Sequence, residues 1–160
     1  MSKLVIEDVC LTPKGEISVE YSGPRPFLAA TRIGKELSSF FQVSGSSSSE
    51  RRVEWDVSGD PISFYLIYEV KKKMSAISTL YFNIRIRGEK FKTKDEGKFT
   101  LFIEGKLKTE VSGLLKSFWW IYSYLFYNKA RREYLKICQD FIERFKNEYV
   151  KDLFKLEKAK

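Results

Sequence analysis

The chain has 160 residues, 43% of them hydrophobic and 31% charged, which suits one folded domain and excludes an intrinsically disordered one. Residues 1–70 carry seven basic and ten acidic side chains, whereas residues 71–110 carry eleven and five, and residues 111–160 carry eleven and six. Histidine is absent, which removes the commonest general base, the Ser-His-Asp arrangement and histidine metal ligands.

The first part of the chain predicts two strands and a helix. Residues 3–11 and 16–22 are short runs of strand-forming residues, and residues 12–15 supply a turn between them. After two prolines, apolar residues recur at three- and four-residue spacing and predict a helix over residues 26–42. The serine-rich segment 44–49 predicts a flexible loop.

From residue 51 onwards, apolar and polar residues alternate, which predicts consecutive antiparallel strands with one face in the core and one in water. The four predicted inward rows are Val53, Trp55 and Val57; Ile62, Phe64, Leu66, Tyr68 and Val70; Leu80, Phe82, Ile84 and Ile86; and Phe99, Leu101, Ile103 and Leu107. Turns are predicted at residues 58–61, 71–75 and 94–97, and the single glycine at position 88 favours a β-bulge.

The last third of the chain predicts two helices, over residues 114–127 and 129–157. The second has one apolar stripe and a charged opposite face, as expected of a helix that packs on a core. Seven of the ten residues 118–127 are aromatic, so this segment has no polar face. Protein, lipid or a ligand must therefore shield it from water. As a helix it measures about 15 Å, half of a bilayer core, which is too short to cross a membrane.

This order of elements resembles the Bet v 1-like superfamily, which includes START domains and related polyketide cyclases. The resemblance covers residues 16–155 and rests on the element order, with Trp55 in the strand after the first helix and Phe141 and Phe145 on the long helix. It implies a single α+β domain over residues 1–160, in which a curved antiparallel sheet grips the C-terminal helix. In this helix-grip fold, the sheet and helix enclose an apolar cavity.

The chain contains no marked catalytic or cofactor-binding motif. Cys10 and Cys138 could pair, but two reduced core thiols in a cytoplasmic protein are the simpler interpretation. There is no phosphate-binding glycine motif and no cysteine cluster with zinc-ligand spacing. Carboxylates such as Glu54 and Asp56 alternate with apolar residues and therefore face water. We expect a non-catalytic protein with no metal and no cofactor.

The first functional hypothesis is a carrier that holds an apolar or amphipathic small molecule, such as a lipid, between the sheet and the C-terminal helix. Similar domains carry lipids, sterols or polyketides, and pockets for such ligands are lined by aromatic and aliphatic side chains. The candidate ligand-binding residues are Trp55, Phe64, Tyr68, Leu80, Phe82, Leu101, Phe141 and Phe145. The alternative is an interior that these side chains fill by themselves.

The second hypothesis is an interaction module that uses the aromatic segment. Aromatic residues beside Lys116, Lys129, Arg131 and Arg132 are typical both of a peripheral membrane contact and of a homodimer or protein interface. The candidate interface residues are Trp119, Trp120, Tyr124 and Tyr127. In the alternative arrangement, Trp119, Tyr122 and Phe126 pack on the sheet while Trp120, Tyr124 and Tyr127 cover its rim.

The third hypothesis is a nucleic-acid-binding module that uses the outer sheet face. The basic residues expected there or in the adjoining turns are Lys71, Lys72, Lys73, Arg85, Arg87, Lys90, Lys92, Lys94, Lys106 and Lys108. Single-strand binding also needs exposed aromatic residues for base stacking, and the alternation places only Tyr65 and Tyr81 on that face. Nucleic acid is therefore the least favoured partner.

Overall fold

The computed structural model of the protein describes residues 3–11, 15–44, 48–94 and 96–159, apart from the side chains of residues 51–52 and 156–159. The strands of this described part are β1 (Leu4–Val9), β2 (Glu16–Pro24), β3 (Ser48–Asp56), β4 (Ile62–Lys73), β5 (Ser78–Lys90) and β6 (Glu96–Val111). The helices are α1 (Pro26–Phe40), α2 (Gly113–Ser117), α3 (Trp119–Tyr122), α4 (Asn128–Arg144) and α5 (Lys151–Ala159). The predicted α+β class, with an antiparallel sheet and a long C-terminal helix, is confirmed.

The strands form one antiparallel sheet in which β6 pairs with three other strands, β1, β2 and β5. The path runs β1-β6-β5-β4-β3, and β2 also pairs with β6. β1 lies along residues 106–111 of β6 and β2 lies along residues 96–104, so the first two strands share one edge instead of pairing with each other as a hairpin. Residues 12–14 of the predicted turn lie outside the described residues.

The alternation of apolar and polar residues is confirmed in β4, β5 and β6, whose inward rows are buried except for the half-buried Ile62. In β3 the inward residues Val53 and Trp55 are each 43% exposed, because β3 is an edge strand that the helices cover only in part. Val57 lies beyond the end of β3 and is also exposed. The outer face of the sheet carries the polar row, as predicted.

The predicted bulge at Gly88 is wrong, because Gly88 pairs in regular register with Phe64 and Phe99. A side chain at this position would place its Cβ only 2.5 Å from the carbonyl oxygen of Lys98, so glycine is needed for close packing. The register shift in the described strands instead falls in β3, between Glu50 and Arg52.

Several predicted boundaries are displaced because the strands are longer than the sequence pattern indicated. Residues 71–73 belong to β4 and residues 96–97 to β6, so they are not turns, and Asp95 lies outside the described residues. Of the predicted serine loop, Ser48 and Ser49 belong to β3, and residues 45–47 lie outside the described residues.

The predicted break between two C-terminal helices at residue 128 is wrong. The non-helical residue is Phe118, with φ −106° and ψ 18°, and from Trp119 to Ala159 the backbone is helical throughout. Two π-helical turns, Ser123–Tyr127 and Phe145–Val150, interrupt the α-helical hydrogen bonding. The helix passes Asn128 because that position carries no glycine or proline to stop it.

Cys10 and Cys138 form a disulfide bond that joins the segment after β1 to α4. The interpretation of both as reduced thiols is therefore wrong, although both are buried as predicted. The N–H of Cys10 donates to the carbonyl oxygen of Gly105 at 2.9 Å, and a Cβ at position 105 would lie 2.6 Å from Cys138 Sγ. Glycine at this position thus allows the disulfide to lie against β6. The cytoplasmic location expected from the sequence stays a prediction.

Candidate functional site

The sheet and the helices bring together seven of the eight residues proposed to bind a ligand. Phe64, Tyr68, Leu80, Phe82, Leu101, Phe141 and Phe145 are all buried in one hydrophobic core. Within it, the ring of Phe41 lies 4.4 Å from Phe82 and 5.8 Å from Phe145, and Phe82 lies 6.0 Å from Phe141. These rings cover one another, so each is already in van der Waals contact without a ligand.

Trp55, the eighth residue, lies at the edge of the sheet. Its ring contacts Phe27 at 4.1 Å and Phe64 at 5.9 Å, but 43% of the residue is exposed. Trp55 and Phe64 also line an open groove of about 1460 Å³ where β2, β3, β4, β5 and β6 meet. The other walls of the groove are largely charged or polar and include Glu20, Glu54, Glu89, Arg87 and Lys98.

Residues 113–126, which we call the aromatic tip, expose most of their apolar side chains. Leu114, Trp120 and Tyr124 are 80%, 73% and 79% exposed. The other exposed apolar residues of the tip are Phe118, Ile121, Leu125 and Phe126. Monomeric proteins rarely expose contiguous apolar surface of this extent unless it contacts a partner or a membrane.

The tip is exposed because its helical turns pack mainly on one another and on the helix that follows. Trp119 lies 4.8 Å from the ring of Tyr127 and 5.7 Å from Tyr122, and Tyr122 lies 5.5 Å from Phe126. The exposed residues of positions 120–126 point in several directions around the helix, since successive residues are about 100° apart. No single face of the sheet could cover all of them. The alternative arrangement, with Phe126 packed on the sheet, does not match its exposure.

The base of the tip is fixed to the sheet by buried polar contacts. Tyr127 is buried, and its hydroxyl shares a hydrogen bond of 2.8 Å with the hydroxyl of Thr109, which shares another of 2.9 Å with Ser78. Burial raises the pKa of the Tyr127 hydroxyl. The guanidinium of Arg131 donates to both carboxylate oxygens of Asp8, at 2.9 and 2.7 Å. Tyr127, predicted as an interface residue, therefore holds the helix in place.

The segment of the chain that contains the tip carries basic but no acidic residues. Between Glu110 and Glu133 the chain has no acidic residue, although it contains 21 in total. The basic residues in this interval are Lys116, Lys129, Arg131 and Arg132. Lys129 and Arg132 are exposed, whereas Arg131 is engaged by Asp8. The tip thus combines uncovered aromatic rings with two exposed basic residues at its base.

The outer face of the sheet carries aromatic and basic residues as well, but they contact one another. Arg87 lies over the Tyr65 ring at 5.1 Å, and Arg85 lies over the Phe102 ring at 5.3 Å. Arg85 also donates to Glu16. The alternation in the sequence placed Phe102 between Thr100 and Glu104 in the polar row, which is the signal that could have identified this third aromatic residue.

Lys71 and Lys108 on the same face have carboxylate partners, Glu69 at 3.9 Å and Glu110 at 3.3 Å. Lys72, which the sequence placed with the surface charges, instead turns inward and donates to the carbonyl oxygen of Phe41 at 3.0 Å. Lys71, Lys108 and Arg85 therefore lie beside carboxylates on this face. Nucleic-acid binding by the face stays a prediction.

In the part of the chain that the structure describes, no group of three or more histidine, cysteine, aspartate or glutamate side chains is arranged to hold a metal ion. Over the same residues, no helix combines the length and the apolar character required to cross a membrane.

Neither a protein-family model nor a curated protein matches the chain. Among solved structures, it is similar to a protein of unknown function, SA2116 from Staphylococcus aureus, at 13% identity over 99% of this chain and 98% of that one, with a TM-score of 0.37. It is also similar to an uncharacterised protein from Rhizobium leguminosarum, at 10% identity over 91% and 97% of the two chains, with a TM-score of 0.22. Similarity at this level carries no argument about fold or function.

Proposed function

We propose that this protein attaches to the surface of lipid bilayers by inserting its aromatic tip into the interfacial region. The observation that carries the proposal is the exposure of Leu114, Trp120 and Tyr124 on helical turns that pack mainly on one another. Tryptophan and tyrosine are enriched at the interface between headgroups and acyl chains, where an apolar ring and a polar tip are both accommodated.

The shape of the tip favours a bilayer over a flat protein partner. Because the exposed rings point in several directions, an occupant must surround the helix, and the interfacial region of a bilayer does so. A second copy of the chain is the alternative occupant of the tip.

The expected strength is that of a reversible attachment. Transfer of one large apolar side chain out of water contributes about 1.5–3 kcal/mol when burial is complete. Trp120, Tyr124 and Phe126 would be covered only in part, so the tip should bind about as strongly as a single myristoyl chain, with a partition constant of about 10⁴ M⁻¹. A segment of about 15 Å enters one leaflet without crossing the bilayer.

Flotation with phosphatidylcholine vesicles tests this proposal. The wild type should float with the vesicles, and Trp120→Ser/Tyr124→Ser should remain in the dense fraction. Leu28→Ser is the matched control, because Leu28 is an exposed apolar residue of α1 outside the tip, and it should float like the wild type. Circular dichroism checks that each variant is folded. Equal flotation of the tip variant and the wild type would contradict the proposal.

The second candidate function is a carrier for an apolar or amphipathic molecule. With it we propose the helix-grip fold, in which the sheet surrounds the C-terminal helix. Packing of Phe141 and Phe145 against the sheet supports the helix-grip assignment. The groove beside Trp55 and Phe64 supports a ligand at the edge of the core. Native mass spectrometry of the purified protein tests this function: a bare mass, together with no binding of fatty acids or apolar dyes, would contradict it.

A further inference from the structure

The basic residues at the base of the tip form a separate feature from its aromatic rings. We infer that Lys129 and Arg132 form a binding site for the headgroups of anionic phospholipids. This inference rests on the proposed bilayer attachment and adds the class of lipid. Its basis is the position of these two side chains relative to the tip and their exposure.

The position of the two residues matches the depth of a headgroup. The exposed apolar residues of the tip end at Phe126, and Lys129 and Arg132 follow within the next two turns of the same helix. When the tip enters the acyl boundary, these residues therefore lie at the level of the lipid phosphates. Long basic side chains can keep their charge at that level while their methylene groups contact apolar surface.

The structure selects these two cations from the basic residues nearby. Arg131 donates to both oxygens of Asp8, so its guanidinium is held against β1 and fixes the rotation of the helix. Lys129 and Arg132 are three residues apart and therefore lie on a shared face, and both are exposed. Arg132 Nε donates to the carbonyl oxygen of Asn128 at 3.3 Å, which holds the guanidinium close to the helix.

The charge pattern at the base of the tip differs from that of three basic residues on the sheet. On the outer sheet face, Arg85, Lys71 and Lys108 each have a carboxylate partner. Along the tip and its base, the sequence contains no acidic residue until Glu133. An anionic headgroup supplies an opposite charge to the exposed Lys129 and Arg132. Each basic residue near an anionic surface is expected to strengthen binding about fivefold.

The test compares vesicles of phosphatidylcholine alone with vesicles that also contain phosphatidylglycerol, at low salt. The wild type should bind the anionic vesicles about thirtyfold more tightly, since two basic residues contribute. Lys129→Gln/Arg132→Gln should lose most of this preference and keep the wild-type affinity for phosphatidylcholine. The control, Lys151→Gln/Lys155→Gln, has the same net charge at exposed positions of α5, far along the helix from the tip, and should keep the preference.

Each result has a distinct meaning. Equal wild-type affinity for both vesicles would overturn this inference and leave the proposed attachment standing. An unchanged preference in Lys129→Gln/Arg132→Gln, or an equal loss in the control pair, would also overturn it. Absence of wild-type binding to either vesicle would contradict the attachment itself. Reduction of the preference by added salt is the expected result, because charges at an exposed surface are screened.

Discussion

The interior of the protein and the aromatic tip contain the same kind of side chain in opposite surroundings. Phe82 is 0% exposed and its ring lies 4.4 Å from Phe41, whereas Phe126 is 61% exposed. The interior rings stabilise the fold by covering one another, and no further molecule is needed to remove them from water. The rings of the tip remain in contact with water, because no other part of the chain that the structure describes covers them. A high content of aromatic residues therefore does not by itself indicate a binding site. Exposure of those residues to solvent does.

The largest effect that distinguishes the two regions should come from the interior. Phe82→Ala removes a ring that contacts Phe41 and Phe141, so we expect the free energy of unfolding to fall by about 3–5 kcal/mol. Urea unfolding followed by circular dichroism measures this loss. The vesicle affinity of the folded variant should equal that of the wild type. A loss below about 1 kcal/mol would show that the ring borders open space, as the carrier function requires.

The disulfide should contribute the next largest effect. Cys10→Ala/Cys138→Ala removes a link between residues separated by 128 positions, and we expect the free energy of unfolding to fall by about 2–5 kcal/mol. Because Tyr127 and Arg131 still hold the helix, vesicle affinity should persist. Urea unfolding without reductant compares the variant with the wild type. Equal stability of the two proteins would contradict the proposed contribution of the bond.

At alkaline pH the free energy of unfolding should decrease, because the buried Tyr68 ionises less readily in the folded protein than in the unfolded chain. Burial raises the pKa of Tyr68 to about 12 from its ordinary value of 10.0. Between these two pH values the unfolded chain loses this proton and the folded protein keeps it, so stability is complete below pH 10 and decreases towards pH 12. The expected slope is at most about 1.4 kcal/mol per pH unit.

Tyr68→Phe checks this assignment, because it should make the dependence of unfolding on pH between 10 and 12 less steep. Tyr127 and Tyr149 also have raised pKa values, so part of the slope should persist in the variant. Urea unfolding at a series of pH values gives the slopes. Identical slopes in the variant and the wild type would show that Tyr68 does not contribute.

The sheet could be predicted from the sequence because its signal is local. Strict alternation in β4, β5 and β6 determines which side chains face the core, and neighbours such as Leu66, Ile84 and Ile86 are buried as expected. The disulfide could not be predicted in the same way. It depends on the path of the chain past Gly105, and that path results from the pairing of both β1 and β2 with one long strand.

For the candidate site, the sequence indicated that the aromatic residues must be shielded from water. It did not indicate which of them contact the rest of the protein. Seven aromatic residues among residues 118–127 show that no polar face exists there. Which rings contact the body depends on where the helix begins and on the rotation that Arg131 imposes through Asp8. Tyr127 consequently faces Thr109 inside the protein, while Trp120 and Tyr124 face outwards.

The smallest effect on stability should come from a substitution in the tip. This substitution tests most directly whether the rings of the tip, unlike those of the interior, contribute nothing to the fold. Phe126→Ala removes the same ring as Phe82→Ala, but from an exposed position, so the free energy of unfolding should change by no more than about 0.5 kcal/mol. The affinity for vesicles should nevertheless fall severalfold, because partial transfer of one ring is lost. Urea unfolding and vesicle flotation on the same preparation measure both quantities. If Phe126→Ala lowered stability as much as Phe82→Ala, the tip would be a folded part of the core, and its exposure could no longer be attributed to a missing lipid surface.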